Sequence, residues 1–169
     1  MKTYPALAIT GLALLTASVA AAQARQPTSS HADRGHQSVA QPRAAIAAVL
    51  KGYEQALNAS DVEGVTRLYT DDAVVLAPNA KSAVGIDSVR AAYTGIFQAI
   101  DLDLTFEIAE VNVVSSNWAF LRSTSNGSIT ILASGAQIPS SNHELFVLHK
   151  SQGSWKLARY SFSSVLPSA

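Results

Sequence analysis

Apolar residues recur at helical spacing in three stretches that end by Ile100. The first stretch predicts an amphipathic helix that ends near Asn58, with an apolar face formed by Ile46, Val49, Leu50, Tyr53, Ala56 and Leu57. A shorter helix follows, and the segment from Ser60 to Glu63 has the form of a capping box in which Ser60 is the cap. We expect Asp71 and Asp72 to close this second helix. Gly85 precedes a third helix with one continuous apolar stripe.

From Leu102 onward the apolar period changes to two, which is typical of strands with one buried face. Asn126 and Gly127 lie between two predicted strands, as in a two-residue hairpin turn. Three helices followed by a mostly antiparallel meander predict an α+β domain, with the helices packed on one face of a strongly curved sheet. The predicted strands are 73–77, 102–108, 118–125, 128–132, 144–150 and 155–162.

The beginning of the chain has the features of an export signal. Lys2 is followed by an apolar stretch from Ala6 to Ala22 that is short for a membrane span and ends in small residues. We therefore predict a cleaved signal peptide over residues 1–22, with an uncleaved anchor as the alternative. Residues 23–40 are polar and aperiodic, which predicts a flexible linker before a domain over 41–166. The mature protein is expected in the periplasm or outside the cell, free of the membrane.

Charge and composition narrow the expected partners. The sequence has 12 basic and 12 acidic residues without blocks of like charge, so nothing in it predicts binding to nucleic acid or to an anionic membrane surface. It has no cysteine, which excludes thiol catalysis and cysteine-ligated metal. No phosphate-binding loop, nucleophile elbow or zinc-ligand spacing is present, so we expect no cofactor and no metal. The expected partner is a small, largely uncharged molecule.

Three segments in register carry a family resemblance: Tyr53 to Asp61, Leu68 to Val74, and Gly153 to Tyr160. They resemble the nuclear transport factor 2-like superfamily, and within it the SnoaL-like and SgcJ/EcaC-type proteins. The resemblance implies a cone-shaped fold like that of ketosteroid isomerase, in which a bent sheet wraps the first helix and leaves a pocket open at one end. It also implies a homodimer through the outer sheet face. Members include isomerases, cyclases, hydrolases and binding domains, so the fold alone does not assign chemistry.

Aligned on this resemblance, Tyr53 takes the position of the tyrosine that holds the oxyanion in ketosteroid isomerase, an enzyme in which an aspartate moves the proton. That aspartate falls on Ala77, which cannot take a proton. The second oxyanion donor falls on Glu144, or on His143 or Leu145 if the strand register differs by one residue. Tyr53 also fits the core stripe of the first helix, which is an alternative role for it.

Histidine is an alternative general base because its ordinary pKa lies nearest neutrality. His143 and His149 are six residues apart on one predicted strand, so their Cα atoms would lie ~20 Å apart and could not share a metal ion. Of the two, His143 is the better candidate for the pocket. Asp101, Asp103, Arg122 and Arg159 either enter the pocket or lie on the exposed sheet face. On the implied fold we expect the pocket lining to include Tyr53, Leu57, Tyr69, Ala77, Phe97, Trp118 and Arg122.

These observations lead to one main hypothesis and two alternatives. The main hypothesis is an exported, homodimeric binding domain with an apolar pocket for a small organic molecule. The first alternative is an enzyme of ketosteroid isomerase or SnoaL-like type that lacks the usual aspartate base, with Tyr53 and either His143 or Glu144 as its polar groups. The second is an interaction module that acts through the open sheet. Whether the protein is an enzyme stays open at this point.

Overall fold

The three helices of the described residues precede most of the sheet along the chain. The computed structural model describes residues 31–165, with side chains from residue 41. The predicted signal peptide, residues 1–22, and residues 23–30 of the predicted linker lie outside this range. The helices are α1 His31–Asn58, α2 Val62–Arg67 and α3 Ile86–Ala99, and the strands are β1 Tyr69–Leu76, β2 Ala83–Val84, β3 Ile100–Val113, β4 Trp118–Ile131, β5 Ala136–Ser151 and β6 Ser154–Ser164.

The six strands form one curved sheet in the order β2-β1-β6-β5-β4-β3, which leaves β2 and β3 at its two edges. Only β1 and β6 run parallel among these strands, and the other neighbours are antiparallel. The register shifts between Ile108 and Glu110 on β3 and between Val147 and Leu148 on β5, and such bulges bend a strand. The predicted α+β class, with helices on a curved and mostly antiparallel sheet, is confirmed.

The predicted hairpin turn at Asn126 and Gly127 is wrong. Both residues lie within β4, where they pair with Thr105 and Leu104 of β3 and with Ser141 and Ser140 of β5, and the chain turns instead between Ile131 and Ala136. Asn126 followed by Gly127 is typical of a turn, but the structure requires glycine at position 127 for another reason. A Cβ atom added there would lie 1.9 Å from the carbonyl oxygen of Asp103, so only glycine permits this approach of β3 to β4.

The helix boundaries differ from the prediction at three places. Helix α1 begins at His31, inside the predicted linker, and Pro42 lies within it. The polar composition of residues 31–40 removes the apolar period, but Gly35 is the one strong helix breaker there, so the helix can extend. The cap of α2 is Asp61 and not Ser60, because its carboxylate accepts a hydrogen bond of 2.8 Å from the backbone N–H of Gly64. Asp71 and Asp72 lie in β1 instead of closing α2.

Two polar side chains near the end of α1 fasten this helix to the sheet edge. Asn58 donates to the carbonyl oxygen of Leu104 at 2.8 Å and accepts from the same residue's N–H at 3.0 Å. Glu54, one helical turn earlier, accepts from the N–H of Phe106 at 2.9 Å. These contacts satisfy backbone groups of β3 that an edge strand otherwise leaves unpaired. They also place the C-terminal half of α1 across the concave face of the sheet.

Among the helices of residues 31–165, none combines the length and the hydropathy that a membrane span requires.

Candidate functional site

A cavity of about 630 Å³ lies between the concave face of the sheet, the end of α1 and one side of α3. Its walls are mainly apolar, with side chains from every one of these elements; they include Leu57, Ala92, Ile96, Leu102, Leu104 and Phe162. Volume and lining are in the range typical of sites that enclose a small organic molecule. Gly95, Ala99 and Lys81 are exposed to solvent as well as to the cavity, and they mark its mouth.

The polar groups of the cavity are concentrated on β5 and β6, with Glu144 at their centre. This carboxyl group is only 4% exposed. Its Oε1 accepts a hydrogen bond of 2.5 Å from Ser125 Oγ, and its Oε2 accepts one from the hydroxyl of Tyr160. No cation pairs with it among the described residues. Burial raises the pKa of Glu144 above its ordinary value, and the two donated hydrogen bonds oppose that effect only in part.

Three tyrosines form a second polar group behind the first. The hydroxyl of Tyr93 lies 2.8 Å from that of Tyr53 and 2.8 Å from that of Tyr69, so the three form a hydrogen-bonded chain. Tyr53 and Tyr93 line the cavity. Burial raises the pKa of Tyr93 to about 12 and raises the pKa values of Tyr53 and Tyr69 well above the ordinary value, so all three hydroxyls keep their protons at neutral pH. The cavity therefore offers neutral hydroxyl groups beside one buried carboxyl group.

Four of the residues singled out from the sequence line this cavity: Tyr53, Leu57, Ala77 and Glu144. Tyr53 is part of the core, since it is 1% exposed and its ring meets Phe146 and Tyr160 edge-on at 5.6 and 5.7 Å, and it also borders the cavity. The register of β5 also resolves the choice between neighbours. Glu144 points inward and His143 points to the outer face, because successive side chains of a strand alternate.

The remaining predicted lining residues lie elsewhere. Tyr69 is buried behind Tyr93, and Phe97 packs on the ring of Tyr93 at 5.8 Å, so neither borders the cavity. Trp118 is 40% exposed at the start of β4 and packs against His149 at a ring separation of 4.3 Å. Arg122 points outward and pairs with Glu110 at 2.8 Å. These four residues therefore lie outside the cavity lining predicted for them, and His143 borders a separate surface pocket of about 330 Å³ that Arg122 and Glu144 also border.

Sequence reasoning missed Tyr93, Tyr160, Ser125 and Asn142 as polar members of the site. Tyr93 lies at a position of the apolar stripe of α3, so the helical spacing alone indicates a core residue, and its ring is indeed buried. The signal for Asn142 was present, since residues 142 and 144 share one face of a regular strand. Ser125 could be placed only once β4 was known to continue past it. Within the described residues, no three metal-ligating side chains are close enough together to hold an ion.

Comparisons with known proteins agree on one family. A family model described as SnoaL-like domain matches residues 49–157. A ketosteroid isomerase-like protein from Erwinia carotovora atroseptica is 40% identical, with a TM-score of 0.71 over 73% of this chain and 96% of that one.

Two further solved structures share the fold at lower identity. A scytalone dehydratase-like protein from Novosphingobium aromaticivorans is 20% identical, with a TM-score of 0.67 over 78% of this chain and 89% of that one. A nuclear transport factor 2-like protein from Shewanella oneidensis is 21% identical, with a TM-score of 0.58 over 72% and 98%. No curated protein matches the chain.

Proposed function

Because the chain belongs to the SnoaL-like domain family, we propose that it binds a small, largely uncharged organic molecule in the cavity beside Tyr53 and Glu144. The observation that carries this proposal is the cavity itself: about 630 Å³, open at one end, with polar groups confined mainly to one wall. An apolar ligand gains from leaving water there, and a few hydrogen bonds to the polar wall would orient it.

The test is to measure whether the protein carries or takes up such a molecule. Native mass spectrometry of protein purified from its own producing cells is expected to show an adduct of small-molecule mass. Thermal unfolding across a panel of apolar metabolites is expected to give a rise in Tm with some of them, because a ligand that binds only the folded state stabilises it. A bare protein mass together with no thermal shift anywhere in the panel contradicts the proposal.

A second candidate function is proton transfer, and the buried carboxyl group favours it. Ala77 stands where the related isomerase carries its base, but Glu144 borders the same cavity with a pKa raised by burial. A carboxylate of raised pKa is a stronger base for a proton on a carbon next to a carbonyl group. In this scheme Glu144 takes that proton and returns it to the substrate, while a tyrosine hydroxyl donates a hydrogen bond to the carbonyl oxygen.

Deuterium exchange into 2-tetralone, a bicyclic ketone of suitable size, distinguishes catalysis from binding. The second candidate predicts that the native protein accelerates loss of the proton signals next to the carbonyl in D₂O, and that Glu144→Gln removes the acceleration. Exchange at the uncatalysed rate with a ketone that binds contradicts the catalytic candidate and leaves the binding proposal in place.

The proposed function also includes export and a homodimer, both of which are predicted from the sequence. The segment up to Ala22 supports secretion with cleavage of a signal peptide, so the N-terminal sequence of the mature protein should begin at or near Gln23. The outer face of the sheet exposes Leu145 beside His143, and a second copy of the chain packed on this face would cover it. Light scattering that gives a monomer mass at micromolar concentration contradicts the dimer.

A further inference from the structure

Asn142 occupies the cavity wall two residues before Glu144 on the inward face of β5. It is 9% exposed, and Ser125 on β4 lies directly opposite it in the sheet. Its side-chain nitrogen donates to Ser125 Oγ at 3.1 Å and to Ser140 Oγ at 3.2 Å. Both amide protons are therefore used within the protein.

When Glu144 is ionised, the hydrogen-bond chain fixes which way this amide points. A serine hydroxyl has a single proton, and Ser125 gives it to the Oε1 atom of Glu144. Ser125 Oγ can then only accept from Asn142, which requires the nitrogen of the amide to face it. The carbonyl oxygen, Oδ1, is left on the opposite side of the amide group.

Oδ1 of Asn142 has no hydrogen-bond donor among the described residues, yet it is not sealed from the cavity. Asn142 makes two side-chain hydrogen bonds, both through its nitrogen. In the described part of the chain, Ser123 Oγ is the one fully buried side-chain polar atom that lacks a partner, so Oδ1 is not fully buried, and Asn142 borders the cavity. Water can hydrate this oxygen while the cavity is open, and a ligand that displaces the water has to replace its hydrogen bond or lose affinity.

Ser140 completes the complement of groups. Its hydroxyl also lines the cavity and accepts from Asn142, so its own proton stays available as a donor. An acceptor on Asn142 and a donor on Ser140, two residues apart on β5, therefore both belong to the cavity wall. A hydroxyl group can satisfy both, since it donates one hydrogen bond and accepts another, whereas an ether or a ketone can only accept.

We propose that Asn142 and Ser140 form a hydroxyl-recognition subsite, and that the natural ligand is an apolar molecule bearing a phenol or alcohol group. The ligand hydroxyl donates to Oδ1 of Asn142 and accepts from Oγ of Ser140. This inference rests on the proposed binding function, which it narrows from small organic molecules in general to hydroxylated ones. Asn142 acts here as a specificity-determining residue.

Three related probes test the subsite by titration calorimetry: 2-naphthol, 2-methoxynaphthalene and naphthalene. We expect 2-naphthol to bind the native protein about tenfold more tightly than 2-methoxynaphthalene, because only the naphthol can donate to Oδ1. Asn142→Leu, which keeps the shape of the side chain, is expected to bring the two affinities together. Asn126→Leu is the matched control, since Asn126 lies on the same sheet with an exposed side chain outside the cavity, and this variant is expected to keep the tenfold preference.

The possible results distinguish failure of the hydroxyl-recognition subsite from failure of the proposed binding function. If no probe binds the native protein, both the binding function and the subsite are refuted. If all bind equally well, or if Asn142→Leu keeps the preference for naphthol, the subsite is refuted and the binding function stands. If Asn142→Leu does not fold, the ¹³C shift of the Asn142 side-chain carbonyl in native protein decides. That shift is expected to change with 2-naphthol and not with 2-methoxynaphthalene, and an equal response to both overturns the subsite.

Discussion

Replacement of Glu144 by glutamine should reveal the cost of burying its charge. Glu144 is 4% exposed, its carboxyl group receives two hydrogen bonds and forms no ion pair within residues 31–165, and burial raises its pKa. The folded state therefore holds the Glu144 proton at pH values where the unfolded chain, with a pKa of about 4.3, has released it. The contribution of this group to stability is full below that unfolded pKa and is lost as the pH rises through the folded pKa.

The size of the effect follows from linkage. Each unit by which the folded pKa of Glu144 exceeds the unfolded pKa lowers the native free energy of unfolding by about 1.4 kcal/mol once both states are ionised. Glu144→Gln lacks the titration, so its free energy of unfolding minus that of the native protein should rise with pH from about 4 and then level off. Urea unfolding followed by tryptophan fluorescence at several pH values between 4 and 8 measures both curves.

Glu54→Gln is the control of opposite sign. Burial acts to raise the pKa of Glu54, but the Lys51 ammonium group and the N–H of Phe106 outweigh it and lower that pKa. The native protein therefore gains stability from Glu54 above the unfolded pKa and loses it as the pH falls through the folded one, so the difference curve for Glu54→Gln should fall with rising pH. A flat or falling curve for Glu144→Gln refutes the reasoning about its burial.

Three further substitutions test separate parts of the structure. Gly95→Leu should weaken binding of 2-naphthol about tenfold, because a Cβ at Gly95 has no atom within 4 Å, so the leucine side chain fits without a clash and narrows the mouth of the cavity. Unchanged affinity by calorimetry would contradict this. Gly52→Ala replaces a helical glycine outside the cavity and should leave the affinity unchanged. Gly127→Ala should destabilise the fold by about 2 kcal/mol or more, since its Cβ meets the Asp103 carbonyl oxygen, and an unchanged urea midpoint would exclude the clash. Tyr53→Phe should cost about 1 kcal/mol in the same unfolding assay through its lost hydrogen bond to another tyrosine, and a cost above 3 kcal/mol would indicate a larger role.

The sequence predicted those parts of the fold in which one pattern decides the structure. The stripe on α1 and the stripe on α3 each place a buried tyrosine, Tyr53 and Tyr93, at the positions that the helical period requires. The alternation after Leu102 likewise predicts which side of β3 is buried. Such periodic signals persist because a helix or strand with the wrong face inward would expose its apolar side chains.

Local signals failed at two positions, for a different physical reason at each. Gly127 next to an asparagine is typical of a hairpin, but the close approach of the Asp103 carbonyl group is what requires glycine there. Ser60 has the right type for a cap, yet it takes a positive φ of 52° in the turn and leaves the cap to Asp61. The first outcome depends on a residue that is distant in sequence, whereas the second is settled within the turn, where the N–H groups of Ser60 and Asp61 donate to the carbonyl oxygens of Leu57 and Ala56.

The candidate site was predictable only in part for a related reason. The resemblance brought Tyr53, Ala77 and Glu144 to one pocket, because their positions are carried by the shared fold. The hydrogen bonds around Glu144 depend on how β4, β5 and β6 are aligned, since Ser125 and Tyr160 reach the carboxyl group from the two neighbouring strands. A one-residue error in that alignment exchanges Glu144 for an outward side chain.

The most direct test of the central claim is an NMR titration of the native protein with 2-naphthol, followed through the backbone amide signals. The binding account predicts saturable shifts that cluster on residues around the cavity, including Leu57, Gly95 and Glu144, with little change at Arg122 and Lys150 on the surface. Shifts confined to the outer sheet face, or no saturable shift at all, would contradict the claim that this cavity is the functional site.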